Sequence, residues 1–345
     1  MNSMIEIDGS EGEGGGQILR TGVALSALTQ QEVKIGNIRA NRPTPGLAAQ
    51  HLCAVRGVAA ICNAVLEGDE VGSTELIFRP KDIEGGKHRL EVGTAGSITL
   101  VLQACLLAAS GSKQALELDI TGGTNVRWSP PIDFYREMLF PLLSSLGMHI
   151  EMGAVIRGFY PEGGGRVEVR LSPFSGLRPL VLLERGALVS IDATCFSQNL
   201  PDHICQRMGS TVRKAFPDQK VGFEVQGGRG ASTGAGCFLL ARYDGAVLSA
   251  DGLGERGMPA EKVAENAVRA LQHEMRSSAT LDLHAADQLL PYLALAKGPS
   301  SFVVREMSGH LRTQMDLVKR FLPVQIGMEK LKSGLRIDVQ PQPYM

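Results

Sequence analysis

No cysteine pair with CxxC spacing, and no cysteine–histidine group with zinc-ligand spacing, occurs among the six cysteines Cys53, Cys62, Cys105, Cys195, Cys205 and Cys237. A zinc module and a disulfide framework are therefore excluded as organising devices, and the thiols read as reduced and mostly buried. Charge of one sign is equally scarce: 35 Lys and Arg stand against 36 Asp and Glu, a formal net charge of −1. A surface that coats nucleic acid broadly needs an excess of cations to displace counterions, so that class falls away, while a nucleic-acid end held by a few arginines remains open. No basic stretch followed by an apolar run opens the chain. The longest apolar segment, Ile98 to Ala109, is too short for a bilayer and contains Gln103. A cytoplasmic protein with no membrane contact is the expectation.

What the chain has is glycine, 41 of its 345 residues. Residues 9–20, GSEGEGGGQILR, follow a strand-like MIEID and pack five glycines and two carboxylates before an apolar helix that carries Arg20. Glycines let backbone N–H groups crowd around a phosphate, and a new helix adds its own free N–H groups. Glu13 could hold a divalent cation against that phosphate, with Glu11 as the alternative. Neither common nucleotide motif is present. A P-loop needs Lys and a hydroxyl after its last glycine, where this chain has Gln17 and Ile18, and Gln17 also takes the third glycine position of GxGxxG.

Internal repetition organises the rest. Three turn-to-helix starts, GEGGGQILRTGVALSAL, VGTAGSITLVLQACLLAAS and HAADQLLPYLALAKG, are each followed by a strand-like run and a second helix. The shared unit is strand, helix, strand, helix, strand, strand. Spacing between starts is about 80 residues and then about 190, so about 100 residues look inserted. The expected division is 1–183 with 277–345 as one domain and 184–276 as a small α/β insert, with DHICQRMGSTVRKAF and PAEKVAENAVRALQHEMR as its amphipathic helices. Its GGRGASTGAGCF reads as a loop leading into a strand.

The blocks GEGGGQILR, IRANRPTPGLAAQHL, GTAGSITLVLQ, GGTN with SPPIDF, GFYPEGGG, HAADQLLPYLALA and GHLRTQM together resemble the RNA 3′-terminal phosphate cyclase family, in order, from residue 8 to about 323. The resemblance implies an α/β (α+β) fold of three βαβαββ repeats like the C-terminal domain of translation initiation factor 3, with a small α/β insert. It also implies a reaction. ATP adenylates a histidine, the AMP passes to an RNA 3′-terminal phosphate, and the neighbouring 2′-hydroxyl closes a 2′,3′-cyclic phosphate.

Physical reading and resemblance meet at particular residues. His310, at the start of a helix, is disfavoured as an imidazolium there, which leaves a neutral nucleophilic nitrogen; in GHLRT it matches the family's adenylated histidine. Arg39 and Arg42 flank a turn entering a helix with spacing suited to gripping phosphate oxygens, or else they are solvated loop charges. Family position favours an RNA-end or phosphate role for Arg42, and for Arg20 and Gln50 beside it. Gln103, mid-helix among apolar residues, must find a polar partner; the resemblance implies a nucleotide contact. It implies the same for His284, Asp287 and Gln288, which otherwise read as an N-cap region, and for Pro131, which with Pro130 would wall the adenine. ATP, a magnesium or manganese ion at Glu13, and RNA with a 3′-terminal phosphate are the implied cofactors and partners. Trp128 could stack on a base, but a partly buried structural Trp is the expectation.

Two other readings stay open. A non-catalytic, cyclase-like rRNA-processing or RNA-binding factor would be expected to lack the nucleophile, whereas His310 and Arg42 are both present. An enolpyruvyl transferase also repeats βαβαββ units but needs no histidine that accepts AMP.

Overall fold

The computed structural model describes residues 4–13 and 15–342; Gly14 of the glycine-rich turn lies outside the described residues. The chain runs β1 (Ile5–Asp8), α1 (Gly16–Thr29), β2 (Val33–Gly36), α2 (Ala49–Cys62), β3 (Val65–Glu67), β4 (Leu76–Arg79). It continues β5 (Gly86–Glu91), α3 (Ile98–Ala109), β6 (Leu116–Gly122), α4 (Ile132–Phe134), a π-helical turn Tyr135–Leu139, α5 (Phe140–Ser145), β7 (Ile150–Ile156), β8 (Gly165–Leu171). After β9 (Val181–Leu182) come β10 (Leu188–Gln198), α6 (His203–Ala215), β11 (Val221–Gly228), β12 (Gly234–Tyr243), β13 (Val247–Leu253) and α7 (Ala260–Met275). The chain then closes with α8 (Leu283–Ala294), β14 (Ser300–Val304), α9 (Gly309–Phe321), β15 (Val324–Leu331) and β16 (Gly334–Pro341).

Three four-stranded sheets share one plan: β1-β2-β4-β3, β5-β6-β8-β7 and β9-β14-β16-β15. In each, the first pair is parallel and the other two pairs are antiparallel. Strict alternation explains why one face of each is covered: β6 and β8 bury every second residue. The covering layer is helical, with α1 against α2, α3 and α9, and α8 against α9. α3 is apolar all round and buried at every position but Gln103, which suits a helix at the centre of that layer. The helix predicted from PPIDFYREMLFPLLSSLG is interrupted by its π turn just before Pro141, which has no N–H to continue the α-helical ladder.

β10 to β13 form a fourth sheet, order β11-β10-β12-β13, whose strands pair only with one another among the described residues. With α6 and α7 it encloses its own core, including Ile191, Met208, Leu239, Leu248 and Leu271. Its other face turns Phe196, Phe238 and Leu240 onto the main core. Arg157 fastens the two. Its guanidinium meets Asp133 in two hydrogen bonds of 2.7 and 2.8 Å, reaches Gln226 on β11 at 2.5 Å, and lies 4.0 Å from the centre of the Phe196 ring. Burial pushes the Asp133 carboxyl up, but hydrogen bonds and charge from Arg157, with help from Asn125 and Arg136, more than offset it and hold it below 3.8.

Arg157→Met leaves the buried Asp133 carboxylate with only Arg136 and Asn125 as partners and is expected to cost up to about 3–5 kcal/mol by chemical denaturation at pH 7. Adding Asp133→Leu should recover much of that loss. Because the Asp133 pKa is depressed by folding, its stabilisation is full above the unfolded value near 3.8 and fades only as pH falls through the lower folded value. A wild-type loss of this contribution already at pH 5 would contradict the pairing.

Candidate active site

The glycine turn, the starts of α1, α2 and α9, and residues of α3 and α8 converge on one place. Glycines permit the approach: a β-carbon on Gly309 would collide with the Glu13 carboxylate, one on Gly12 with the Thr313 hydroxyl, and one on Gly16 with His51 Nε2. α1 begins with Gly15 as N-cap and no side-chain cap, so its first N–H groups are free of protein side chains. α9 is capped instead by Ser308, whose hydroxyl accepts from Leu311 N at 3.0 Å.

His310 lies in the first turn of α9, its side chain 44% exposed while its Nδ1 is buried 3.5 Å from Glu13 Oε2. The exposed edge of the ring is therefore the one that carries Nε2. Burial lowers its pKa below 6.5 against the opposing pull of Glu13, and His284, Arg20 and Arg42 lower it further. Glu11 faces elsewhere, paired with Arg320 at 2.5 Å, which leaves Glu13 as the carboxylate of the turn beside His310.

Arg20 is 7% exposed and has no carboxylate within ion-pair distance among the described residues. Its Nε donates to Gln103 Oε1 at 3.0 Å, the polar partner that a mid-helix glutamine requires. Burial brings the guanidinium down to about 10, with Tyr135 and Asp287 holding it up, so it is charged at neutral pH. Asp287, buried on α8, is pushed up to about 7 by desolvation, a shift that His284 and Arg20 reduce and Asp282 and Glu13 increase. Its neighbour Gln288 lies 2.9 Å from the Tyr135 hydroxyl, which also reaches Thr99 O at 2.7 Å. Thr99 in turn donates to Pro130 O at 2.8 Å, which ties Pro130 and Pro131 to the same end of α3. His284 is exposed at the start of α8, whose cap, Asp282, also accepts from Ser249 of β13 at 2.8 and 2.9 Å.

The arginine turn is arranged less evenly. Arg42 is exposed with Nη2 3.5 Å from Glu13 O, beside Gly15, and its charge faces the site. Arg39 instead spends Nη1 on Gly46 O at 2.7 Å and holds its own loop. Gln50 braces the start of α3 by accepting from Ser97 N at 2.9 Å. Trp128 departs from the expectation of partial burial: it is 94% exposed, on left-handed backbone at φ 66° in the loop after β6.

Sequence reading passed over His51, the residue after Gln50. It is 5% exposed, accepts from Ala48 N through Nδ1 at 3.3 Å, and so carries its proton on Nε2, which faces Gly16. Desolvation, then the charges of Arg20 and Arg39, push it down to about 3, so it is a neutral donor at any working pH. Only its neighbourhood to Gln50 on the first turn of α2 could have signalled it.

Comparison with known proteins gives the site a family. The model of the RNA 3′-terminal phosphate cyclase family matches residues 11–328. The chain is 46% identical to the RNA 3′-terminal phosphate cyclase of Nitrosospira multiformis, covering 98% of this chain and 97% of that one. It is 42% identical to that of Methanopyrus kandleri, covering 99% of each, and 45% identical to that of Methanosarcina barkeri, covering 96% and 98%. A solved enolpyruvyl transferase, NikO from Streptomyces tendae, aligns over 99% of this chain and 66% of its own at 11% identity with a TM-score of 0.29, too low to carry an argument. On a match that spans nearly the whole length of chain and relatives alike, this protein belongs to the RNA 3′-terminal phosphate cyclase family.

Proposed function

We propose that this enzyme converts an RNA 3′-terminal phosphate to a 2′,3′-cyclic phosphate with ATP, through an AMP carried on His310. The observation that carries the reading is Arg20, a buried guanidinium without a carboxylate partner, beside the free N–H end of α1 and facing a half-exposed, neutral histidine. A buried cation of that kind calls for an anion, and the groups around it suit a phosphate chain. Arg42, with Arg39 and Gln50 behind it, would meet phosphate oxygens or the RNA end. Gln103, Pro131, His284, Asp287 and Gln288 would bound the nucleotide. Asp287, raised to about 7, is partly protonated at neutral pH and so adds little repulsion against an anion.

His310 Nε2 attacks the α-phosphorus of ATP, an N–P bond forms and the bond to pyrophosphate breaks. An oxygen of the RNA 3′-phosphate then displaces the histidine. The 2′-hydroxyl attacks the phosphorus of the RNA 3′-phosphate, its proton leaves to solvent, the anhydride bond breaks, and AMP departs. Arg20, His51 Nε2–H and the α1 N–H groups stabilise charge on the transferring phosphates.

Among the described residues no group of three or more His, Cys, Asp or Glu side chains is arranged to hold a metal ion. Magnesium or manganese is held by one or two carboxylates plus substrate phosphates, and Glu13, 42% exposed and aimed at the start of α9, fits that share. When bound, the ion would neutralise charge on the leaving pyrophosphate. We also propose that residues 1–183 with 277–345 form one domain, that 184–276 form another, and that the three like sheets are units of the initiation-factor-3 C-terminal type. Six free, buried cysteines suit a cytoplasmic protein; no described helix is long and apolar enough to cross a membrane.

Incubation with α-labelled ATP should label the wild-type chain in acid-labile form, and His310→Ala should take no label; an adduct mapped to another residue would overturn the assignment. Because the His310 pKa is lowered, the neutral form persists as pH falls through 6.5, so the adenylation rate should hold to below that pH before declining.

Glu13→Ala should slow adenylation about 100-fold across a magnesium or manganese titration with little change in RNA binding. Unchanged adenylation would remove Glu13 from this role.

Arg42→Lys should lose about 10- to 100-fold in cyclisation, the value of a charge-assisted fork that Lys cannot reproduce. Arg56→Lys, where the native side chain pairs with Asp69 at 2.9 Å on α2, is the control and should be close to wild type.

A further inference from the structure

Four of the five buried side-chain N and O atoms without a hydrogen-bond partner among the described residues lie on the seam between α1 and α9: Gln17 Oε1, His310 Nδ1, and both Oε1 and Nε2 of Gln314. Gln314 is fully buried and Gln17 is 7% exposed. Each such orphan costs about 1–3 kcal/mol, and an apolar side chain of the same shape would remove that cost. A wholly buried amide therefore calls for partners of its own.

The orphans are complementary. Gln314 follows His310 by one helical turn, i to i+4, on the same face of α9. Gln17 already donates through Nε2 to the His310 carbonyl at 3.3 Å. With the imidazole proton on Nδ1, the set contains two donors, Nδ1–H and Gln314 Nε2–H, and two acceptors, Gln314 Oε1 and Gln17 Oε1. We propose that Gln314 is a positioning residue for His310: rotation of the buried amides brings Gln314 Oε1 to accept from Nδ1–H and Gln314 Nε2–H to donate to Gln17 Oε1, closing a ring on the His310 carbonyl.

The ring fixes the tautomer. With the proton held on Nδ1, the lone pair stands on Nε2, the exposed edge, where a nucleotide would be met. Glu13 is a poorer keeper of that proton. Its Oε2 is 3.5 Å from Nδ1 without a hydrogen bond, its charge favours imidazolium, and a metal would compete for it. A neutral amide holds the tautomer without that bias. The other charged or titratable groups acting on the ring, Arg20 from α1, Arg42 from the loop before α2 and His284 from α8, all disfavour imidazolium and leave the tautomer to the amide.

The inference rests on His310 as nucleophile, and its test separates the two. Nitrogen-15 NMR of the imidazole in the full chain reads the tautomer without any turnover. Wild type should show His310 protonated on Nδ1; a proton on Nε2 overturns the proposal. Gln314→Met takes away the bonds of the ring at similar volume and should keep or lower the thermal midpoint, while the Nδ1–H fraction falls and single-turnover adenylation slows about 10- to 100-fold. Gln17→Met should move the tautomer in the same direction and serves should Gln314→Met fail to fold. A stabilised Gln314→Met with wild-type tautomer and adenylation rate would make the buried amide structural only and sink the idea. If instead wild type forms no AMP adduct while the tautomer still depends on Gln314, the nucleophile reading falls and the positioning ring stands.

Discussion

The arrangement turns on a buried positive charge with no carboxylate partner among the described residues. Arg20 sits 7% exposed between α1 and α3, with one side-chain hydrogen bond to Gln103, its guanidinium beside the uncapped start of α1. Everything around it is chosen so that the charge survives without being cancelled. His51 is forced neutral by burial and by Arg20 and Arg39, so it adds a donor but no repulsion. Asp287 is the carboxylate whose charge acts on Arg20, and burial raises it to about 7, which weakens its claim on the arginine. A site built this way holds a standing positive field that favours an anion over a neutral group.

The scaffold explains how so many groups reach one point. Three sheets of equal strand order each place helices on one face, and those helices pack together as a single layer. Residues from the start of α1, the start of α9 and the first turns of α2 and α3 therefore meet, although Glu13 and His310 are far apart in sequence and 3.5 Å apart in space. Gln50 bracing Ser97, and Thr99 holding Pro130, tie the second unit to the first and to its own loop. The fourth sheet is fastened at two points that matter to the site: Gln226 of β11 to Arg157, which Asp133 holds in place, and Ser249 of β13 to Asp282, which caps α8 just ahead of His284 and Asp287.

Much of the local structure was legible because it depends on neighbours in the chain. The glycine turn into α1 and the amphipathic α6 and α7 follow from spacing and residue type. The polar partner required by Gln103 was also foreseeable, though not that it would be Arg20. Trp128 went the other way. A large aromatic favours burial on average, yet left-handed backbone in its loop turns it into solvent.

Sequence alone determined the repeated order of strands and helices, the excess of glycine at the turn, the even charge and the residues resembling those of a known family, because each is a property of composition or of short spacing. Only the tertiary structure decided which of those residues share a site, that Glu13 rather than Glu11 faces His310, that His51 is neutral, and that Gln17 and Gln314 are orphaned beside it. Those outcomes depend on desolvation and on contacts between segments remote in the chain. Burial and charge are set by everything packed around a group, and no stretch of sequence contains that.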